Sequence, residues 1–149
     1  MQKSADRSGG LQQNARAVIL KGSLIFSSLK DRELTELAKC ALERRFTSGE
    51  YIFWEGDTAD WFYVIAEGRI KVIKHASTGK DFIVAFFGEG EMFGEVAVFE
   101  NKQYPASAQA VTEVKVLGIK KKSGSFFLVA KRGTGGFVNL SFTQVKFDS

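Results

Sequence analysis

A single cysteine, Cys40, in 149 residues leaves no disulfide framework and no all-thiolate zinc or iron–sulfur site within one chain. A single histidine, His75, excludes a one-chain metal centre built on several imidazoles, and any Ser-His-Asp or Cys-His nucleophile would depend on that one ring. No apolar run comes near the roughly 18 residues of a membrane-spanning helix. The N-terminal stretch Met1–Asn14 carries Lys3, Asp6, Arg7 and the pair Gly9-Gly10 with no apolar segment behind them, so it is not a secretory signal. We expect a flexible leader over residues 1–15 and a cytoplasmic protein with no membrane partner. Proline is nearly absent, 1 against 15 Gly and 14 Phe. That imbalance points to a β-rich chain with tight glycine turns and aromatic packing.

What is present divides into three parts. Residues 16–29 form a short apolar lead-in interrupted by Gly22. Residues 31–43 follow a helical period, with Leu34, Leu37, Ala38, Ala41 and Leu42 on one face and Asp31 as the expected N-cap. Cys40 lies beside this face and reads as a small buried or half-buried thiol. From Phe46 to Ile119 the period changes to short strands separated by glycines, at the spacing of a sandwich or barrel. Glu67-Gly68 and Ser77-Thr78-Gly79 carry hairpin signals, Phe82–Phe87 is a fully apolar strand, and Val114 and Val116 alternate with Glu113 and Lys115. One helix followed by about eight strands predicts an α+β, mainly β fold: an antiparallel jelly-roll (double-stranded β-helix) barrel over residues 16–122 with short flanking helices.

Residues 123–149 depart from this pattern. They contain no Glu, four Gly and five Phe, and only Val138, Leu140 and Phe142 alternate like a strand. The charge is divided at the same place: residues 1–118 sum to −1 and residues 119–149 to +5. The overall +4 is thus a property of the tail and weak support for nucleic-acid binding. Phe126, Phe127, Phe137, Phe142 and Phe147 are expected either to pack on the barrel or to drive self-association, most simply as a dimer.

Two segments carry specific chemistry. The first, Ile52–Gly68, resembles a signature of the cyclic-nucleotide-binding domain of CRP/FNR-type transcription regulators. Ile52-Phe53, Gly56, Asp57, Ala59, Phe62–Ile65 and Gly68 fall at the family's positions, with Phe53 bulkier than usual. The second, Phe93–Thr112, resembles the family's phosphate-binding cassette. A Gly there turns the chain into a short helical turn whose free amides face an anion. The resemblance implies ligand-binding roles for Phe93, Gly94, Glu95, Val96 and Ala97, with Glu95 accepting from a ribose hydroxyl, and for the return segment Ala106, Ser107 and Ala108. In the family's cyclic-nucleotide binders an Arg precedes the Ser-Ala pair. Here Ala106 takes that place, and no Arg or Lys lies between Lys102 and Lys115. Loss of one charge-assisted phosphate contact costs about 1.5–3 kcal/mol.

The expected ligand is therefore a weakly held cyclic nucleotide or a different small effector. The protein is expected to be a non-catalytic, allosteric sensor domain. His75, at a strand end beside a turn, reads as a solvated histidine and not as a haem ligand. The 30 residues after Ile119 are too few for a dimerisation helix and a DNA-reading module, which predicts no direct sequence-specific DNA binding and a truncated or frame-shifted relative. The alternative is a working module for cyclic AMP or cyclic GMP that regulates a partner in trans.

Overall fold

A computed structural model describes residues 13–21, 26, 29–123, 126–132 and 138–144. Helix α1 (Gln13–Lys21) starts within the segment read as a leader. It packs against α2 (Asp31–Cys40). The Arg16 guanidinium donates to the carbonyls of Ala38 (3.3 Å) and Ala41 (2.9 Å), which satisfies acceptors that the end of α2 leaves open. Lys30, and not Asp31, stands at the N-cap of α2. Asp31 is the first helical residue, and the Glu33 carboxylate accepts from the Lys30 N–H at 2.9 Å. The reach-back of Glu33 satisfies the N-cap N–H and fixes where the helix begins. Cys40 closes the helix half-buried, and burial pushes its thiol pKa up.

The helix is shorter than its periodicity predicts. Ala41 is extended (φ −70°, ψ 137°), and Leu42 lies on the next strand with about half its surface exposed. The reason is competition: residues 42–46 pair along their whole length with the strand Val114–Gly118, and those ladder bonds outweigh one further helical turn. Eight strands follow in the barrel: β1 (Leu42–Phe46), β2 (Tyr51–Phe53), β3 (Trp61–Glu67), β4 (Ile70–His75), β5 (Asp81–Phe87), β6 (Met92–Phe93), β7 (Ser107–Ala110) and β8 (Val114–Lys120). They form two antiparallel four-stranded sheets, β1-β8-β3-β6 and β2-β7-β4-β5. This is the expected jelly roll.

The two hairpin signals part company. Ser77-Thr78-Gly79 does close a hairpin, with β4 and β5 paired from Ile70↔Phe87 to His75↔Asp81. Glu67-Gly68 does not, because β3 and β4 belong to different sheets. Gly68 (φ 94°) is a corner through which the chain passes from one sheet to the other. A Cβ at Gly68 would meet the Glu113 carbonyl oxygen at 2.2 Å, so the close approach of two backbones requires glycine.

The core has two layers, one between the sheets around Tyr63, Ile65 and Phe93, and one on the outer face of the β3 sheet, where Phe62 and Val64 line up with Ile119 and Leu117. Phe62, Val64 and Ile65 of β3 are fully enclosed, with Phe93, Leu117 and Ile119. Each such side chain contributes about 1.5–3 kcal/mol on burial. The apolar strand β5 is the exception. It forms the edge of its sheet, and Phe82, Ile83, Val84 and Phe86 each keep half or more of their surface exposed.

The tail continues in β structure. Strands β9 (Lys122–Ser123), β10 (Phe126–Arg132) and β11 (Val138–Gln144) form a three-stranded sheet in the order β11-β10-β9. The alternating residues Val138, Leu140 and Phe142 fall on β11. Leu128 of β10 is 1% exposed and joins the core, and its N–H donates to the Lys121 carbonyl at 2.8 Å. Phe137, Phe147 and the side chains of Phe126, Phe127 and Phe142 lie outside the described residues. No described helix is long and apolar enough to cross a membrane.

Candidate functional site

The site begins where β6 ends. Gly94 takes a left-handed conformation (φ 85°) and turns the chain into α3 (Glu95–Phe99). A Cβ at Gly94 would press on Phe53 Cε2 at 3.2 Å. Ala97 and Val98 anchor α3 in the core, whereas Val96 points outward and is largely exposed. Glu95 heads the helix. Burial pushes its carboxyl above the usual range, partly offset by a hydrogen bond from its own backbone N–H.

After α3 the chain returns along Asn101–Ala106, which we call the arm. The loop between β2 and β3 grips it. The Gly56 N–H donates to the Tyr104 carbonyl (2.9 Å), the Tyr104 N–H to the Asp57 carbonyl (2.9 Å) and the Ala59 N–H to the Lys102 carbonyl (3.2 Å). Asp57 also steadies its own loop, accepting from the Trp54 N–H at 3.3 Å. The two sequence signatures therefore meet as one unit, with Gly56, Asp57 and Ala59 of the first holding the return segment of the second.

Tyr104 is the centre of this unit. Its ring stacks on Phe53 at 3.7 Å between centroids and 7° between planes. Its hydroxyl donates to the Trp61 carbonyl. Burial drives the Tyr104 hydroxyl pKa strongly upward, so it stays a proton donor.

Between α3, the arm and the inner face of β4–β5 lies a cavity of about 240 Å³. Phe93, Gly94, Glu95, Val96, Ala97 and Ala106 line it. Ser107 and Ala108 do not. Ser107 is fully buried and its Oγ accepts from the Glu55 N–H at 2.8 Å, on the far side of the arm. Ala108 pairs with Phe53 and Val72 inside the sheet. The rest of the wall lies outside the residues that the resemblance assigns to a ligand: Phe53, Tyr104 and Pro105 on one side, Val72, Val84, Ala85 and Phe87 on the other. One signal was available. Phe53 is larger than its signature position usually carries, and that extra ring is what Tyr104 stacks upon.

Among the described residues, no Lys, Arg or His lines this cavity. A wider cleft of about 750 Å³ runs along the outer side of the arm. It is an open surface whose cations are already paired: Lys74 with Glu55 at 3.0 Å and Lys102 with Glu100 at 3.2 Å. His75 lies on this outer side, with Nδ1 2.8 Å from Asp81 Oδ1. No group of three or more metal-ligating side chains occurs among the described residues.

The arrangement offers a small apolar chamber with one carboxylate and a rigid aromatic back wall. Lys121 joins it to the tail, since its Nζ donates to Asn101 Oδ1 at 2.6 Å while its carbonyl holds Leu128 of β10.

Comparison with known proteins fits this geometry. The family model for the cyclic nucleotide-binding domain matches residues 43–128. The cyclic AMP receptor protein of Thermus thermophilus is 32% identical over 101 residues, 67% of this chain and 46% of that protein. The chain thus spans about half the length of that curated relative. Among solved structures, the sensor domain of the transcriptional regulator DNR from Pseudomonas aeruginosa has a TM-score of 0.69 at 26% identity, covering 72% of this chain and 73% of that one. The regulatory subunit of a cAMP-independent protein kinase A from Trypanosoma cruzi, bound to guanosine, has a TM-score of 0.67 at 27% identity, covering 72% and 38%.

Proposed function

The chain belongs to the cyclic nucleotide-binding domain family, and on that premise we propose that it is a non-catalytic effector-sensing domain whose ligand sits in the cassette cavity. The observation that carries this reading is the unit of Gly94, Glu95, α3 and the arm, held by the Gly56–Ala59 loop beside a cavity open to solvent on one side. No group of three or more metal-ligating side chains occurs among the described residues, and the relatives named above are receptors and regulators.

Output passes through Lys121. A ligand that shifts α3 moves the Asn101 turn, and Lys121 ties that turn to the strand pair that follows the barrel. Strands β9–β11 follow the barrel, and self-association through them is part of the proposal. Binding of cyclic AMP or cyclic GMP is weak, because the cavity wall supplies no cation for the phosphate.

Amide NMR of the full chain titrated with cyclic AMP and cyclic GMP tests the reading. We expect shifts concentrated at residues 93–97 and 101–106, with Kd well above micromolar. A sub-micromolar Kd would favour the other reading, a working cyclic-nucleotide module acting on a partner. Shifts that spare the cassette altogether would remove the proposed site.

A further inference from the structure

The cavity has a chemical bias of its own. The rings of Phe53, Phe87, Phe93 and Tyr104 border it, and Glu95 supplies its charged group. Lys74 touches the arm but is committed, donating to the Pro105 carbonyl (2.8 Å) and to the Glu55 carboxylate (3.0 Å). Helix α3 offers no substitute for a cation. It is five residues long, and the Glu95 carboxylate already accepts from its own amide at the head of that helix.

A phosphate entering this space would face a carboxylate across apolar walls. Like charges repel most where water is scarce, and an unpaired anion there loses its hydration without return. A hydroxyl pair fares differently. An ionised carboxylate accepts only, and its two oxygens suit two adjacent O–H donors. Aromatic walls favour a flat apolar body. The volume, just under that of drug-sized sites, suits a small molecule.

We infer that the cassette cavity selects an uncharged molecule with a planar aromatic body and adjacent hydroxyls, and disfavours the phosphorylated form of the same molecule. This rests on the sensor reading above and names its ligand class. Nucleosides are the probes that carry this chemistry.

Calorimetric titration of the full chain with adenosine and guanosine, beside cyclic AMP and cyclic GMP, tests it. Each nucleoside should bind at least about tenfold tighter than its cyclic monophosphate, because the phosphate must shed water beside Glu95 with no cation in return. Glu95→Gln, which keeps size and removes charge, should narrow that gap by weakening the nucleoside. Val96→Arg, at the exposed rim, should narrow it from the other side by tightening the cyclic monophosphates several-fold. Cyclic monophosphates binding as tightly as nucleosides to the unaltered chain would overturn the inference and leave the sensor reading standing. No heat from any of the four at millimolar concentration, with folding intact by circular dichroism, would overturn both.

Discussion

The cavity has two walls, and they are built by opposite means. The arm carrying Tyr104 is held from all sides: three backbone bonds from the Gly56–Ala59 loop, a stacked Phe53 beneath, and a hydroxyl bond to Trp61. The β5 wall has a ladder to β4 along one side only, and most of its apolar side chains meet solvent. Apart from Glu95 at the head of α3, both walls are apolar where they meet the cavity. What separates them is the number of independent restraints, so the arm resists change and β5 yields to an occupant. A ligand in this pocket is positioned by one wall and accommodated by the other.

The comparison breaks most decisively at Tyr104. Tyr104→Ala should destabilise the fold by about 3–5 kcal/mol, since it removes a buried ring and unseats Phe53. Tyr104→Phe keeps the stack and should cost only about 1 kcal/mol for the lost hydroxyl bond. Urea unfolding midpoints read both. If the two substitutions cost the same, the arm is not held by the stack.

Acidity sharpens the contrast next. Glu95 belongs to the arm side, and burial raises its carboxyl pKa. A carboxyl whose folded value lies above its unfolded value binds more protons when folded. It therefore favours the fold below the ordinary carboxylate range, and that contribution is lost as pH rises through the raised value. Thermal melts should show the chain losing stability relative to Glu95→Gln across that window. Equal pH profiles would mean that Glu95 is not desolvated.

The smallest effect is expected on the other wall. Phe82→Lys replaces an exposed residue of the β5 edge and should change stability by no more than about 0.5 kcal/mol. It should also reduce concentration-dependent light scattering, because a charge on an apolar edge strand blocks pairing with another copy. A large loss of stability would show β5 to be as firmly restrained as the arm.

The same contrast governs what sequence could disclose. The barrel was legible because its signals are local. The strand-length alternation, the turn glycines and the pattern from Ile52 to Gly68 each determine a backbone geometry within a few residues. Gly94 and Glu95 were legible for the same reason. The opposite wall was not, since Val72, Val84 and Phe87 reach the cavity only through strand pairing in the second sheet. Tyr104 is not legible either, because its role depends on a stack with Phe53, 51 residues away, that no local pattern announces. Glu67-Gly68 misled because a glycine with positive φ serves a hairpin and a sheet-to-sheet corner equally well; the choice between them depends on Glu113, which is 45 residues away.

That corner has a consequence for how such a protein can change over generations. Any replacement of Gly68 introduces a side chain, and the first carbon of that side chain would collide with the Glu113 backbone. No small genetic step around the position is neutral. The pocket, by contrast, has an exposed rim, where Val84 and Val96 have room to be exchanged one at a time. Inheritance can therefore rewrite what the barrel perceives while the crossing between its sheets stays frozen, and a descendant with a new ligand would still bear the same hinge of bare backbone.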